Sequence, residues 1–344
     1  MDARIGVRLT WVVLFAIGML ATACGEQDQQ SDSLHIYATT SVLGDVASTI
    51  AGDDADVSVL IPIGADPHSF APSSSQVAEM GQADLVIANG LGLEESFEAV
   101  LEGIESDGGS LLEIGPALDP IPFGAGVDAH DHEDEGEAHD HEDEGEAHDH
   151  EDEGEAHDHE DEGDGHDHGS DDPHVWMDPL RMAEAGRLIA EALAELDDSV
   201  DWMARAEAYA TELEEVDVEI QQILAGIPEE SRVLVTNHDS LGYFAARYGF
   251  DVVGTVLPGG STLGDPSSDQ LANLVQLMRE LDVRVIFAET TEPSSLAEAV
   301  SQEVGDSVQV VELYSGSLGE PGSGAETLTE MLLVNARLIA ESMQ

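Results

Sequence analysis

Short apolar runs alternate with amphipathic stretches along most of the chain, which is the pattern of an α/β protein with parallel sheets. The strands predicted in this way are residues 35–40, 56–63 and 84–90 in the first half, and 232–238, 250–257, 283–289 and 307–314 in the second. Helical patterns lie between the strands, and a last helix is expected over residues 325–342. The two groups of strands predict two Rossmann-like lobes, each with its own parallel sheet.

A long helical stretch, residues 179–227, separates the two groups of strands and is interrupted near residues 197–199. Its second part, residues 200–226, carries leucine, isoleucine and valine at helical spacing. A helix of about 25 residues spans close to 40 Å at a rise of 1.5 Å per residue. The pattern therefore predicts that one long rigid helix joins the lobes.

The N-terminus has the pattern of an export signal. Arg4 and Arg8 precede an uncharged apolar run over residues 11–23, which is shorter than the roughly 20 residues of a membrane span. The letters ATAC before Gly25 resemble a bacterial lipobox, in which Cys24 becomes the lipidated first residue of the mature chain. The alternative is an ordinary cleaved signal with an incidental cysteine.

A repetitive segment, residues 127–171, interrupts the first lobe after Phe123, and in it an HDH triplet recurs every nine residues between acidic spacers. Its charge, its glycine content and its lack of aliphatic residues predict disorder, and its composition suits weak metal capture. Expansion of the repeat as harmless filler is the alternative. The histidines of this tract are His130, His132, His139, His141, His148, His150, His157, His159, His166 and His168.

The net charge narrows the class of partner. The chain has a formal charge of −64, and all ten of its basic residues are arginine. Nucleic acid is excluded as a partner because phosphate binding needs clustered cations. The acidic surface attracts cations but does not identify a ligand.

Three histidines outside the tract stand in similar short contexts that contain aspartate. They are His68 in ADPH, His174 in DDPHVWMDP and His238 in TNHDSLGYF. His68 follows the predicted strand that ends near residue 63, and His238 follows residues 232–236 at the end of its predicted strand. Ligands of open α/β sheets bind at the carboxyl ends of the strands. We therefore expect the three to meet in the cleft between the lobes. His35, the fourth such histidine, is expected on an edge strand.

Three neutral imidazoles suit Zn²⁺, whereas oxygen-rich sites favour Mn²⁺, which is the less expected metal here. Neighbouring aspartates could accept hydrogen bonds from the imidazole N–H groups, or could simply form turns. Those aspartates are Asp66, Asp172, Asp178 and Asp239. Trp176 and Tyr243 are expected to be core residues beside the site.

From residue 34 to its C-terminus the chain resembles a known family, the metal-binding lipoproteins of bacterial ABC importers for zinc or manganese. The resemblance is carried by GADPHSFAPSSSQVAEMGQADLVIANG (64–90), DPHVWMDPLRMAEAGRLIAEAL (172–193) and TNHDSLGYFAARYGF (236–250). It implies that His68, His174 and His238 bind the metal, and histidine at the third position is the zinc-type choice. It also implies a partner permease with its ATPase, and a monomeric protein that is not an enzyme.

One position departs from the family pattern. Many members carry an aspartate ligand where this chain has Gly316, in ELYSGSLGEPGSG (312–324). Either a water or Glu289 would complete the coordination, and Glu289 could instead form hydrogen bonds or line the cleft.

These patterns divide the chain into a sequence of segments. They are a signal peptide (1–23), a polar tether (24–33), an N-terminal lobe (34–177) interrupted by the tract, a helical segment with the linker (178–228) and a C-terminal lobe (229–344). The expected protein is extracytoplasmic, anchored by lipid to the cell membrane, and delivers Zn²⁺ to a permease. The alternatives are a zinc buffer without a transporter, and a zinc hydrolase, although the sequence has no HExxH motif.

Overall fold

Two parallel four-stranded sheets form the framework of the protein, as a computed structural model shows. The first sheet contains β1 (Leu34–Ala38), β2 (Ala55–Val59), β3 (Leu85–Ala88) and β4 (Leu111–Glu113), in the order β2-β1-β3-β4. The second contains β5 (Val233–Thr236), β6 (Asp251–Thr255), β7 (Val285–Glu289) and β8 (Gln309–Leu313), in the order β6-β5-β7-β8. Both sheets lie in one compact unit. The predicted α/β class with two parallel-sheet lobes is confirmed.

Helices connect the strands and join the lobes. They are α1 (Ser41–Ala51), α2 (Ser74–Met80), α3 (Glu98–Ser106), α4 (Pro179–Leu196), α5 (Trp202–Leu224), α6 (Gly242–Tyr248), α7 (Ser268–Glu280), α8 (Ser295–Val304) and α9 (Leu328–Ser342). α1 and α2 each begin at a side-chain cap. Thr40 accepts a hydrogen bond from the backbone N–H of Leu43, and Ser73 forms a capping box with Gln76.

The structure describes residues 33–124, 171–305 and 307–343. The predicted signal peptide, the lipidation site Cys24 and the ten tract histidines lie outside these residues. Asp171, the last residue of the predicted tract, forms an antiparallel bridge with Pro122. Within the described ranges, none of the helices combines the length and the apolar character needed to cross a membrane.

The predicted linker corresponds to α5, which has 23 residues and therefore spans about 35 Å. It packs against α4, which directly precedes it, and against α1 and α9, which come from the two ends of the chain. Its buried face includes Trp202, Leu213 and Ile220, and these belong to one core cluster that also contains Ile36 of the first sheet and Phe287 of the second. The two lobes therefore share a continuous apolar core.

Two details of the predicted strands are wrong. β4 was not predicted, because its three residues are too few to show a pattern. His35 lies on β1, which has β2 on one side and β3 on the other, so it is not on an edge strand. Its Nε2 lies 3.1 Å from Ser58 Oγ of the neighbouring strand, which gives this histidine a local structural role.

Candidate metal site

Three loops bring His68, His174 and His238 together. His68 lies between β2 and α2, His174 directly precedes a short 3₁₀ helix that leads into α4, and His238 follows the end of β5. The three side chains are buried, with relative exposures of 2%, 1% and 1%. Among the described residues they form the one group of three or more histidine, cysteine or acidic side chains whose ligand atoms are close enough to hold a metal ion.

The imidazoles face one another through their Nε2 atoms. The Nε2 of His174 lies 3.3 Å from that of His68 and 3.0 Å from that of His238. Two nitrogen ligands at about 2.0–2.1 Å from Zn²⁺, separated by a tetrahedral angle, would lie about 3.4 Å apart. The spacing of the nitrogens is therefore close to that of a tetrahedral zinc site.

Asp172 fixes the orientation of His174. Its Oδ1 lies 2.7 Å from His174 Nδ1 and accepts the backbone N–H of His174 at 2.9 Å. Tyr243 donates its hydroxyl to the backbone carbonyl of Asp172 at 2.7 Å. A Cβ on Gly242 would come within 2.5 Å of Asp172 Oδ2, so glycine is needed where α6 approaches this carboxylate. Asp172 thus holds Nδ1 and leaves Nε2 directed at the cluster.

Glu289 has the same relation to His238. It stands at the end of β7, which neighbours β5 in the sheet, and its Oε1 is hydrogen-bonded to His238 Nδ1. This contact lies on the ring nitrogen that does not face the cluster. The geometry therefore favours the hydrogen-bonding role of Glu289 over the role of a fourth ligand.

Asp66 shapes the loop of His68 without contacting its ring. Asp66 Oδ1 accepts the backbone N–H of His68 at 3.1 Å, and its Oδ2 accepts the hydroxyl of Thr262 at 2.7 Å. Ser96 donates its hydroxyl to the carbonyl of His68 at 2.6 Å. These contacts hold the backbone of the loop, and within the described residues His68 Nδ1 itself has no hydrogen-bond partner.

The other two aspartates do not orient an imidazole. Asp178 caps α4 through the N–H of Leu180 and pairs with Arg247. Asp239 Oδ2 accepts the N–H of Gly124. Both carboxylates stabilise the chain around the site, which is the structural one of the two alternatives that the sequence left open for them.

Gly316 borders the site opposite Pro67, the residue before His68. A Cβ at this position would lie 2.9 Å from Thr291 Oγ1 and 3.4 Å from Pro67 Cδ. Thr291 therefore occupies the space that a side chain at position 316 would need. Its Oγ1 is buried and has no hydrogen-bond partner among the described residues.

Sequence reasoning missed two residues that support the site. The buried carboxylate of Glu94 accepts hydrogen bonds from the backbone of Asn89 and Gly90 and from the hydroxyl of Thr39. Asn89 in turn donates its amide to the carbonyl of Pro173 at 2.9 Å, beside His174. The position of Asn89, directly after β3, was the one available signal.

Burial controls the protonation of the cluster. It lowers the pKa of His68 and of His174 well below the ordinary value, and the neighbouring imidazoles add to this effect. Burial also acts to lower the pKa of His238, but the adjacent Glu289 outweighs it and the pKa is raised. Burial raises the pKa of Asp172 to about 7. Neutral imidazoles are the form that binds metal, so His68 and His174 are prepared for it.

The same fold is found in solved structures. The periplasmic zinc-binding protein TroA from Treponema pallidum superposes with a TM-score of 0.70 at 25% identity, over 90% of this chain and 99% of that one. In sequence, the zinc-binding protein TroA is 27% identical over 340 residues, which cover 96% of either chain. The manganese-binding lipoprotein MntA of Halalkalibacterium halodurans is 30% identical over 329 residues, which cover 94% of either chain.

The fold and these likenesses define a class of protein, the substrate-binding components of metal ABC importers. A family model described as the zinc-uptake complex component A, periplasmic, matches residues 36–342. The chain therefore belongs to this family, and the resemblance seen in the sequence is confirmed. The relatives are named as metal-binding proteins and not as enzymes, which fits the expectation of a binding protein at the level of the family.

Proposed function

We propose that the protein binds Zn²⁺ through the Nε2 atoms of His68, His174 and His238 and delivers it to the membrane permease of an ABC importer. The observation that carries this proposal is the convergence of three buried imidazoles at the spacing of a tetrahedral site. Zn²⁺ takes nitrogen ligands in this geometry, and Mn²⁺ prefers oxygen.

The charges next to the cluster support a divalent cation as cargo. Asp172 and Glu289 each contact the Nδ1 of a different histidine, which fixes the ring and makes Nε2 a stronger ligand. Three neutral imidazoles supply no negative charge, so these carboxylates balance the ion from behind its ligands. A monovalent cation would gain less from this arrangement.

Manganese is the second candidate cargo, because MntA of Halalkalibacterium halodurans is named as a manganese-binding lipoprotein. The donor atoms of this chain argue against it. Glu289 lies on Nδ1 of His238, and glycine stands at position 316, so neither residue offers an oxygen to the cluster as the site is arranged.

The hydrolase alternative needs a general base beside an open position on the metal. Glu289 was the candidate for that base, but its carboxylate is already engaged with His238. This engagement leaves the candidate base unavailable, which argues for capture and release rather than turnover.

The remaining parts of the proposal concern residues outside the described ranges. Cys24 would carry a lipid that anchors the protein to the outer face of the cytoplasmic membrane, and the tract histidines would attract Zn²⁺ near the cleft. The described ends of that segment support the second role. At one end, Gly124 donates its backbone N–H to Asp239, the residue after His238. At the other end, Asp171 lies three residues before His174. Both ends of the segment are therefore close to ligand histidines.

Calorimetric titration with Zn²⁺ and with Mn²⁺ tests the proposal, on the chain from Gly25 onward and on a version without residues 130–168. We expect one tight zinc site that survives the deletion and is lost in His68→Ala, His174→Ala and His238→Ala. His35→Ala is the matched control and should bind as the parent does, since His35 contacts Ser58 and lies outside the cluster. Loss of all tight binding with the deletion, or tighter binding of Mn²⁺, would overturn the proposal.

A further inference from the structure

We propose that Glu95 is a positioning residue for His68, whose Nδ1–H it accepts when a metal binds at Nε2. This inference rests on the proposed function. It also implies that Ser261, in the loop after β6, holds Glu95 for that purpose, so that His68, Glu95 and Ser261 form one hydrogen-bonded chain across the cleft.

His68 differs from the other two histidines in how its ring is held. Within the described residues, His174 and His238 each have a carboxylate on Nδ1, whereas His68 Nδ1 is buried and has no hydrogen-bond partner. The carboxylate that approaches it is that of Glu95, whose Oε1 lies 3.7 Å away. This distance is about 0.8 Å longer than the usual N–H···O hydrogen bond of about 2.9 Å, and a small rotation of the Glu95 side chain would close the difference.

Ser261 holds the same carboxylate oxygen from the opposite lobe. Its hydroxyl donates to Glu95 Oε1, and the next residue, Thr262, donates to Asp66 Oδ2 at 2.7 Å. The loop after β6 is therefore attached to the two carboxylates that flank His68. A carboxylate oxygen has two lone pairs, so Glu95 Oε1 can accept from Ser261 and from His68 together.

A metal ion would make this contact necessary. Coordination through Nε2 places the ring proton of His68 on Nδ1, and a buried N–H without an acceptor is destabilising. Glu95 is the acceptor within reach, because Asp66 is occupied by Thr262 and by the backbone of His68. Its neighbour Glu94 is occupied by the backbone of Asn89 and Gly90.

Glu95 is not placed to be a ligand itself. Its Oε1 approaches the Nδ1 side of the His68 ring, whereas the cluster meets at Nε2. Its side chain is about one fifth exposed, at 21%, while the carboxylate partner of His238 is 3% exposed. Glu95 thus belongs to the most accessible of the three histidine–carboxylate pairs. Its main effect is on the rate at which the ion is released.

The test compares Glu95→Ala and Glu95→Gln in the whole chain without its signal sequence. Each protein is loaded with one equivalent of Zn²⁺, and both the dissociation constant and the rate of release to excess chelator are measured. Glu98→Ala is the matched control, because it removes a carboxylate from an exposed position three residues further along. Ser261→Ala tests the support that Ser261 gives to Glu95.

We expect Glu95→Ala to weaken zinc binding about tenfold, at the lower end of the range for such outer-shell residues, mainly through faster release. Glu95→Gln keeps an acceptor oxygen without the charge, so its effect should fall between those of the parent and Glu95→Ala. Ser261→Ala should change release in the same direction by less. Glu98→Ala should match the parent.

Nuclear magnetic resonance of the zinc-loaded protein separates positioning from a general loss of stability. The Nδ1–H of His68 should exchange slowly with water in the parent and in Glu95→Gln, and rapidly in Glu95→Ala, while the signals of His174 and His238 stay unchanged. If the parent binds zinc and Glu95→Ala equals Glu98→Ala in release and exchange, the role of Glu95 is refuted. Failure of the parent to bind zinc would instead refute the proposed function.

Discussion

At the scale of single residues, the site is built from pairs of a histidine and a carboxylate. Asp172 holds Nδ1 of His174 from the same loop, and Glu289 holds Nδ1 of His238 from the neighbouring strand. Each pair directs an Nε2 atom at the cluster. The carboxylates therefore act on the metal through the rings, which is the usual function of outer-shell partners.

Glu289→Ala should weaken zinc binding by about 10- to 100-fold, because His238 then loses the acceptor that fixes its ring. Glu289→Gln should weaken zinc binding less, since the amide oxygen can still accept a hydrogen bond from His238 Nδ1. Isothermal titration measures both, with Glu298→Ala on the exposed side of α8 as the control. Equal binding by Glu289→Ala and the control would show that the pair has no role in holding the ion.

Gly316→Asp should narrow the preference for zinc over manganese, because it adds a carboxylate oxygen, the type of ligand that manganese prefers, at a position that borders the site. The added Cβ would meet Thr291 Oγ1 at 2.9 Å, so the effect should be larger in Gly316→Asp combined with Thr291→Ala. The ratio of the two dissociation constants is the measurement. An unchanged ratio in the double variant, with Thr291→Ala as the control, would mean that position 316 does not face the ion.

At the scale of elements, the site depends on which strands are neighbours. β5 and β7 are adjacent, which brings His238 beside Glu289. Elsewhere α1 packs against α9 and forms a junction between the two ends of the chain. At that junction Asp45 of α1 accepts the N–H of Leu328 at 2.9 Å and so caps α9. A helix from the N-terminal lobe thus holds the last helix of the chain.

The Asp45 junction should weaken as the pH rises through about 6. The pKa of Asp45 is raised to about 6. Burial is the main cause and the charges of Glu212 and Glu330 add to it, whereas the hydrogen bond from the N–H of Leu328 acts to lower the pKa. Between the ordinary pKa of an aspartate, 3.8, and pH 6, the folded state therefore binds more protons than the unfolded state. The contribution of Asp45 to the free energy of unfolding is greatest below this range and is lost as the pH rises through it.

Asp45→Asn should therefore stabilise the protein by about 1–2 kcal/mol at pH 8 and by little at pH 4, because the amide still accepts from Leu328 and carries no charge. Urea unfolding at the two pH values measures the difference. Glu214→Gln, on the exposed side of α5, removes a charge elsewhere and serves as the control. If Asp45→Asn raised the free energy of unfolding equally at both pH values, the raised pKa of Asp45 would not be the cause.

At the scale of the whole molecule, the continuous core limits movement between the lobes. α5 packs on α1, α4 and α9, and its buried side chains belong to the cluster that contains residues of both sheets. A wide hinge rotation would open this core and lose its apolar contacts. Binding should instead be accompanied by small shifts of the loops that carry the ligands.

Spin labels on the two lobes test this expectation. Cysteines at exposed positions of α2 and α7 can be labelled, with Cys24 replaced, and their separation measured with and without zinc. We expect distance distributions that overlap closely. If zinc shifted the mean distance between the labels by as much as a hinge closure does, α5 would not hold the lobes as its packing indicates.

The sequence was sufficient to predict the fold and the convergence of His68, His174 and His238, because both depend on local patterns. These patterns are the strand periodicity and the ADPH, DPHVWMDP and NHDSLGYF contexts. Partners set by strand order or by distant loops could not be predicted. Glu289 meets His238 only because β7 lies beside β5, and Ser261 meets Glu95 across 166 residues of sequence. His35 was misplaced for the same reason, since no local pattern shows that β1 is an interior strand.

X-ray absorption at the zinc edge tests the central claim most directly. The sample is the chain without residues 130–168, loaded with one equivalent of Zn²⁺, so that the tract histidines contribute nothing. The account predicts three imidazole nitrogens at about 2.0–2.1 Å and a reduced imidazole signal in His174→Ala. A first shell of carboxylate oxygens, or a spectrum that His174→Ala leaves unchanged, would contradict it.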